Sequence, residues 1–335
     1  MRSACPEDYI AVPPPLAHLR RFPLDGALLL FDRATGLTAL CDGPETAHLR
    51  MRAPRVIRFS LTNVCNLACR FCSRDIHAPS TFTAEGVFEL LRDLDAAGSL
   101  EVGFGGGEPL VFEGLPDLVR RLHDETRLAV HLTTNGLHLT DEVASALAPF
   151  LGEVRISLYD DIDVRSVIAR LVDHGISFGL NYLVFPERLD RLEDAIFDAI
   201  AWGCRDVLLL AYKGPDARLH LSPANADALA TRVRALHRAL AGRLTLKLDG
   251  CWGPRMDSVP QLLPRDSCSA GRDFVVITSD RRVAPCSFHH LSMPFETAAD
   301  VLRIWAEQRE ELSVAANVSG CARLAHYGLD AGVLH

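Results

Sequence analysis

Between about residues 54 and 249 the chain alternates two hydrophobic rhythms. Short, nearly continuous apolar runs rich in Val, Ile, Leu and Phe fall at 55–61, 100–105, 128–134, 153–158, 176–185, 205–212 and 243–249. Such runs suit parallel strands buried on both faces. Between them, apolar residues recur at helical spacing. Val87, Leu90, Leu91 and Leu94 share one face, and Gly98 stands where that helix would stop. Ser222 and Pro223 read as a cap followed by a first-turn proline, ahead of the stripe Leu229, Val233, Leu236 and Leu240. Repeated βα units with right-handed crossovers build an open doubly wound sheet or a full or partial barrel. In either case ligands bind beyond the carboxyl ends of the strands.

The flanks break this rhythm. Pro13, Pro14 and Pro15 read as an extended linker, and the runs 27–32 and 36–40 read as a small hairpin. Residues 250–335 hold shorter elements and carry Cys251, Cys268, Cys286 and Cys321. At 335 residues and 48% hydrophobic, the chain can bury a large core as one large or two unequal domains. A net charge of −8 argues against a nucleic-acid binder, which usually shows a basic stripe. No apolar run approaches the roughly 18 residues of a membrane span. Residues 1–10 lack the apolar core of a secretory signal, and ten cysteines suggest metal or catalytic thiols in a reducing compartment. A cytoplasmic location is therefore expected.

Three of those cysteines, Cys65, Cys69 and Cys72, follow the first strand-like run and so belong on the functional face. A fully protein-bound cubane iron–sulfur cluster takes four thiolates. Three thiolates from one loop would leave one iron open to bind and reduce a small molecule. C-x2-C spacing also suits zinc, with His77 available as a further ligand.

The triad, with Phe71 just before its third cysteine, is joined by Gly105, Gly106, Gly107, Glu108 and Pro109 after the second strand. Thr134, Asn135 and Gly136 end the third, Ser157 the fourth, and Asn181, Leu183 and Val184 lie on the fifth. In this order the motifs resemble the radical S-adenosylmethionine (radical SAM) enzymes over about residues 54–215. The resemblance implies that Cys65, Cys69 and Cys72 hold a [4Fe–4S] cluster, flanked by Phe71. It implies that Gly105, Gly106, Gly107 and Glu108 meet the methionyl amino group of SAM, since glycines let backbone approach a ligand closely. Asn135, Ser157 and Arg165 are further SAM contacts on this reading, and Asn181 and Leu183 line the adenine pocket. An ordinary surface position is the alternative for Arg165. A flavodoxin- or ferredoxin-type donor would supply the electron that cleaves SAM to a 5′-deoxyadenosyl radical. Tyr212 and Lys213, at the end of the sixth strand, are candidates for substrate or SAM contact or acid–base work, against a plain strand-end role.

The tail carries a second resemblance. Cys268 and Gly271, the run 274–280, Val283 with Pro285 and Cys286, the helix-like 300–305 and Cys321 resemble the auxiliary-cluster domains called SPASM, or Twitch when shortened. The usual turn glycine is replaced by Arg281, and Leu324 stands where the two-cluster form often has another cysteine. The resemblance implies one auxiliary iron–sulfur cluster, of [4Fe–4S] type, on Cys268, Cys286 and Cys321, with Cys251 as fourth thiolate. An open iron without Cys251, substitution by His289 or His290, and a zinc-bound structural domain are the alternatives. Cys5, Cys41 and Cys204 read as structural.

The fold expected is α/β: an N-terminal extension at 1–50, a partial (β/α)6 TIM-type barrel at 51–245, and a small C-terminal α+β auxiliary-cluster domain at 246–335. After hydrogen abstraction a substrate radical holds one electron more than a closed-shell oxidised product, and an auxiliary cluster can accept it. Net oxidation of a ribosomally made peptide, by dehydrogenation or crosslinking, is therefore the expected function. A small-molecule dehydrogenase or epimerase, or a non-catalytic iron–sulfur or zinc scaffold, are the other readings. Neither nucleic acid nor membrane is expected as partner.

Overall fold

The structure, a computed structural model, describes residues 5–72, 74–75, 77–240, 242–252, 269–289 and 291–314. Its first sheet is antiparallel and three-stranded: β1 (Arg20–Pro23), β2 (Ala27–Phe31) and β3 (Thr38–Asp42). The expected hairpin is β2–β3, with Leu29 opposite Leu40. β1 is an addition, its pattern hidden by two arginines and a terminal proline. The prolines are not an extended linker, because Pro14–Leu16 closes a 3-10 turn. Proline presets φ for such a turn and gives up an N–H that a first turn leaves unpaired anyway. Leu28 and Leu30 pack with Ile10, Leu19 and Leu49, while Leu29 and Phe31 join the main core.

The main sheet follows the predicted rhythm. Its parallel strands are β4 (Val56–Thr62), β5 (Glu101–Gly106), β6 (Ala129–Thr134), β7 (Glu153–Leu158), β8 (Phe178–Val184), β9 (Asp206–Ala211) and β10 (Thr245–Leu248). Between them run α1 (Ala84–Ala97), α2 (Leu115–Glu125), α3 (Asp141–Leu147), α4 (Arg165–Asp173), α5 (Leu192–Ala201) and α6 (Pro223–Ala239). Strand order in space matches order in sequence from β4 to β10, so six βα units form a partial barrel. Beyond β4 the sheet continues with β11 (Phe274–Ile277), parallel to β4, then β12 (Arg282–Ala284) and β13 (Met293–Pro294), both antiparallel to their neighbours. The helix-like 300–305 run lies in α7 (Ala298–Val314). Among the described residues no helix is long and apolar enough to cross a membrane.

Caps bound the helices, at Gly98 and Ser222 where the sequence suggests and at Thr83 besides. The Thr83 hydroxyl accepts from Gly86 N–H at α1, Gly98 stops that helix at φ 123°, and Ser222 Oγ accepts from Asn225 N–H at α6. Along the strands, side chains alternate between the helix layer and the barrel lumen. Ile57, Phe59, Leu61, Val102 and Phe104 are fully buried under the helices. Each such side chain contributes about 1.5–3 kcal/mol by leaving water.

The lumen face is polar instead. Near the amino ends of the strands, Arg155 donates to Glu153 Oε1 at 2.9 Å, Asp206 Oδ1 at 2.8 Å and Asn181 Oδ1 at 2.8 Å. Lys247 reaches Asp206 Oδ2 at 2.7 Å. Arg55 donates to Glu101 Oε1 at 2.6 Å, and His131 Nε2 lies 3.3 Å from Oε2. Burial works to raise the Glu101 carboxyl, but His131 and Arg55 outweigh it and hold it below its ordinary value. A depressed carboxylate adds stability above its unfolded value, lost as pH falls through the folded one. Glu101→Gln should therefore cost about 1–3 kcal/mol near neutral pH, with the deficit fading in acid. Urea unfolding across pH checks this, and a deficit independent of pH would place its origin elsewhere.

Candidate functional site

Cys65, Cys69 and Cys72 sit on the long loop leaving the carboxyl end of β4. They line one cavity of about 160 Å³ with Leu67, Phe71, Arg74, Gly105, Gly106, Gly107, Glu108, Thr133, Thr134, Asn135, Ser157 and Tyr159. A larger hollow of about 420 Å³ lies at the amino ends of β9 and β10, beside Arg205 and Arg243. It is at the end away from the cysteine loop, whereas ligands of such sheets bind beyond the carboxyl ends. The chemistry follows the smaller cavity.

Backbone contacts set the loop's position. Gly107 N–H donates to Thr62 O at 2.7 Å and Glu108 N–H to Val64 O at 2.8 Å. A Cβ on Gly107 would lie 2.0 Å from Val64 O, and one on Gly106 (φ 105°) 2.7 Å from Thr62 O. The close approach these two glycines permit is thus to the cysteine loop. Gly105 has nothing within 4 Å of its would-be Cβ and faces open cavity.

Glu108 is buried and fully engaged. Its Oε1 accepts from the Thr134 hydroxyl at 2.5 Å and Leu110 N–H at 3.1 Å, and its Oε2 accepts from Asn135 N–H at 2.9 Å. The carboxylate therefore joins the end of β5 to the end of β6. Asn135 Nδ2 in turn donates to Asn66 Oδ1, inside the cysteine loop, at 2.8 Å. From the other side, the Thr81 N–H and hydroxyl both donate to Ser279 O at 3.0 Å, and Ser279 Oγ donates to Pro79 O at 3.0 Å. Ser279 belongs to the β11–β12 turn, where Arg281 takes φ 60°, a left-handed conformation that favours glycine.

Phe71 stacks on Tyr159 at 5.6 Å and leans on Phe185 at 6.3 Å. Burial pushes the Cys69 thiol up, Cys72 and Cys65 add to the rise, and a hydrogen bond with Tyr159 opposes it. Burial and the neighbouring Cys69 likewise raise the Tyr159 phenol. None of the three cysteines is in a disulfide. Among the described residues no three His, Cys, Asp or Glu side chains converge as around a single ion. A cubane cluster, with irons at separate corners, does not require such convergence. Three soft thiol donors around one cavity fit an iron–sulfur group.

Comparison with known proteins agrees with that donor set. Residues 59–160 match the sequence profile of the radical SAM superfamily. The chain carries a radical SAM domain. A GTP 3',8-cyclase of Clostridium perfringens is 34% identical over 176 residues, covering 47% of this chain and 54% of that protein. The chain thus spans about half the length of that relative. A PqqA peptide cyclase of Ruegeria pomeroyi is 28% identical over 292 residues, 79% of this chain and 77% of that protein. Streptococcus suis SuiB, solved with the precursor peptide SuiA, superposes with a TM-score of 0.65 at 16% identity, over 76% of this chain and 65% of that one. At that identity the likeness is one of fold, a mixed α/β architecture with a large parallel sheet.

Within the radical SAM domain, the cavity gathers Cys65, Cys69, Cys72, Phe71, Gly105, Gly106, Gly107, Glu108, Asn135 and Ser157. Other expected site residues lie elsewhere. Arg165 is exposed and paired with Asp163 at 2.7 Å. Asn181 accepts from Arg155, and Leu183 packs with Phe185, Tyr212 and Leu219. Tyr212 is buried edge-on to His220 at 4.9 Å. Lys213 is buried with Nζ 2.6 Å from Asp249 Oδ2 and 4.7 Å from the Phe288 ring centre. Burial opposes its charge, but Asp249 and Cys251 outweigh burial and raise it above its ordinary value. Cys268, His290 and Cys321 lie outside the described residues. Cys204 is buried, donates to Asp206 O at 3.0 Å, and its thiol is pushed up to about 11 by burial, in keeping with a structural role. Tyr159, Leu67, Arg74 and Thr133 were not singled out as site residues from sequence. A strand-end position two residues past Ser157 is the signal that points to Tyr159.

Gly107→Ala should displace the loop at Val64, cost about 1–3 kcal/mol of stability and lower iron uptake severalfold. Iron per chain after anaerobic reconstitution, with a melting curve, checks this. Wild-type iron content would show that the loop finds its place without the glycine.

Proposed function

We propose that this chain is a radical SAM enzyme that oxidises a ribosomally made peptide by dehydrogenation or crosslinking. The observation that carries the reading is the single cavity that joins Cys65, Cys69 and Cys72 to the glycine turn at the carboxyl end of the sheet. Cys65, Cys69 and Cys72 would hold the [4Fe–4S] cluster, and Gly105 with Ser157 and Tyr159 would border SAM. When bound and reduced, by a flavodoxin- or ferredoxin-type donor, the cluster supplies the electron for cleaving SAM to methionine and the hydrogen-abstracting 5′-deoxyadenosyl radical. The protein's part is to orient the substrate C–H bond and keep water out.

The auxiliary site is part of the proposal. Asp249 Oδ1 accepts from Cys251 N–H at 3.1 Å while its Oδ2 holds Lys213, which also faces Phe288, two residues past Cys286. Elements far apart in the sequence thus bring Cys251 and the Cys286 segment around one lysine. With Cys268 and Cys321 they would hold a second cluster that takes the surplus electron of the substrate radical. A peptide is favoured because the likeness to a PqqA peptide cyclase spans 79% of the chain, against 47% for a GTP 3',8-cyclase. A cytoplasmic setting, where thiols stay reduced, suits these cysteines.

Reconstituted enzyme given SAM and dithionite should release 5′-deoxyadenosine, and Cys65→Ala, Cys69→Ala or Cys72→Ala should abolish release. Two cubanes predict about seven to eight irons per chain, falling to about four with Cys251→Ala and Cys286→Ala together. A colourless, zinc-loaded protein releasing no 5′-deoxyadenosine would contradict the reading.

A further inference from the structure

Charges facing the lumen are almost all paired. Glu101 is met by Arg55 and His131, Glu153 and Asp206 by Arg155, Asp206 again by Lys247, and Asp249 by Lys213. Arg58 differs. Its neighbours Ile57 and Phe59 are buried under the helices, so alternation turns Arg58 into the lumen, where it is exposed. Its guanidinium lies 4.1 Å from the Phe274 ring centre, which orients it without using any of its N–H donors. Among the described residues it makes no ion pair or hydrogen bond, and its charge opposes that of Lys213 across the lumen.

The space beside it is open. Gly103 stands opposite Arg58 in the sheet register, and a Cβ there would meet nothing within 4 Å. Gly105, two residues on and opposite Ser60, is equally open and lines the cysteine cavity. Two residues of strand amount to about 7 Å. Among the described residues, the open side of β5 therefore leads from Gly105 at the cavity to Gly103 beside the guanidinium.

We propose that Arg58 anchors a carboxylate of the substrate, the acidic side chain of a peptide, and so fixes which C–H bond reaches the cysteine cavity. The proposal rests on the enzyme reading above. A planar guanidinium with unused donors binds a carboxylate through two parallel hydrogen bonds. One uncompensated positive charge matches a monoanion better than a phosphate, which carries about −1.5 to −2 at neutral pH.

The test is ligand-observed NMR on the reconstituted, SAM-loaded full chain with three probes: acetyl-glutamate methylamide, its glutamine counterpart and inorganic phosphate. The glutamate probe should bind about tenfold or more tightly than the glutamine probe. Arg58→Gln should erase that preference, and Arg58→Lys should retain part of it, with iron content and melting temperature reported for both variants. Equal binding of the two amino-acid probes, failure of both to bind, or a preference that survives Arg58→Gln in a folded, iron-loaded variant would overturn the proposal. Phosphate binding more tightly than glutamate, and lost in Arg58→Gln, would overturn it in favour of a phosphorylated small molecule. If wild-type protein released no 5′-deoxyadenosine, the enzyme reading would fall separately, whatever the probes did.

Discussion

The contact on which the site depends is backbone against backbone. The turn after β5 presses against the loop after β4 so closely that Val64 O occupies the space a side chain at position 107 would need. Two hydrogen bonds, from Gly107 to Thr62 and from Glu108 to Val64, close the same seam. Everything else about the cysteine loop is built outward from it. Glu108 fastens that turn to β6, Asn135 reaches from β6 back to Asn66, and the β11–β12 turn ties the far end through Ser279. The loop carries few fully buried apolar side chains of its own, so strand ends hold it in place of a core. Such an arrangement suits a group that must be both exposed to a ligand and fixed in position.

The barrel's interior completes this picture. A sheet with apolar residues on both faces would fill its lumen with side chains. Here the helix-facing set is apolar, while the lumen set is rich in charged, glycine and polar residues, with Leu183, Leu208 and Leu210 among them. Glu153, Arg155, Asp206 and Lys247 neutralise one another at the amino end. Paired charges of this kind are not a source of great stability, because desolvation offsets much of their attraction. What they do is keep the lower lumen polar and ordered while the upper lumen stays open beneath the cysteines.

Much of the fold was legible because the apolar runs and the helix stripes report packing directly. The predicted strands match those observed to within a residue or two, and Gly98 and Ser222 end and begin helices as read. The site was legible as a set of motifs, less so as a geometry. Gly105, Gly106 and Gly107 read alike in sequence, yet two of them meet the loop and one meets the cavity. Glu108 read as an acceptor for a ligand's ammonium, while the folded chain satisfies both its oxygens internally. Arg165 and Asn181 read as SAM contacts, while in the folded chain they are engaged by Asp163 and Arg155. The Arg155–Asp206 pair joins strands 51 residues apart, and no local pattern encodes such a partner. β1 escaped because two arginines and a proline mask a four-residue strand.

On the reading proposed above, the cavity beside Cys65, Cys69 and Cys72 holds a cluster with one iron left for SAM. Electron paramagnetic resonance of the reduced, reconstituted protein, recorded with and without SAM, tests it most directly. A cubane signal whose shape and g values change when SAM is added is the expected result. A signal indifferent to SAM, or one that persists when Cys65, Cys69 and Cys72 are all replaced by alanine and the auxiliary cysteines Cys251 and Cys286 are removed as well, would contradict it.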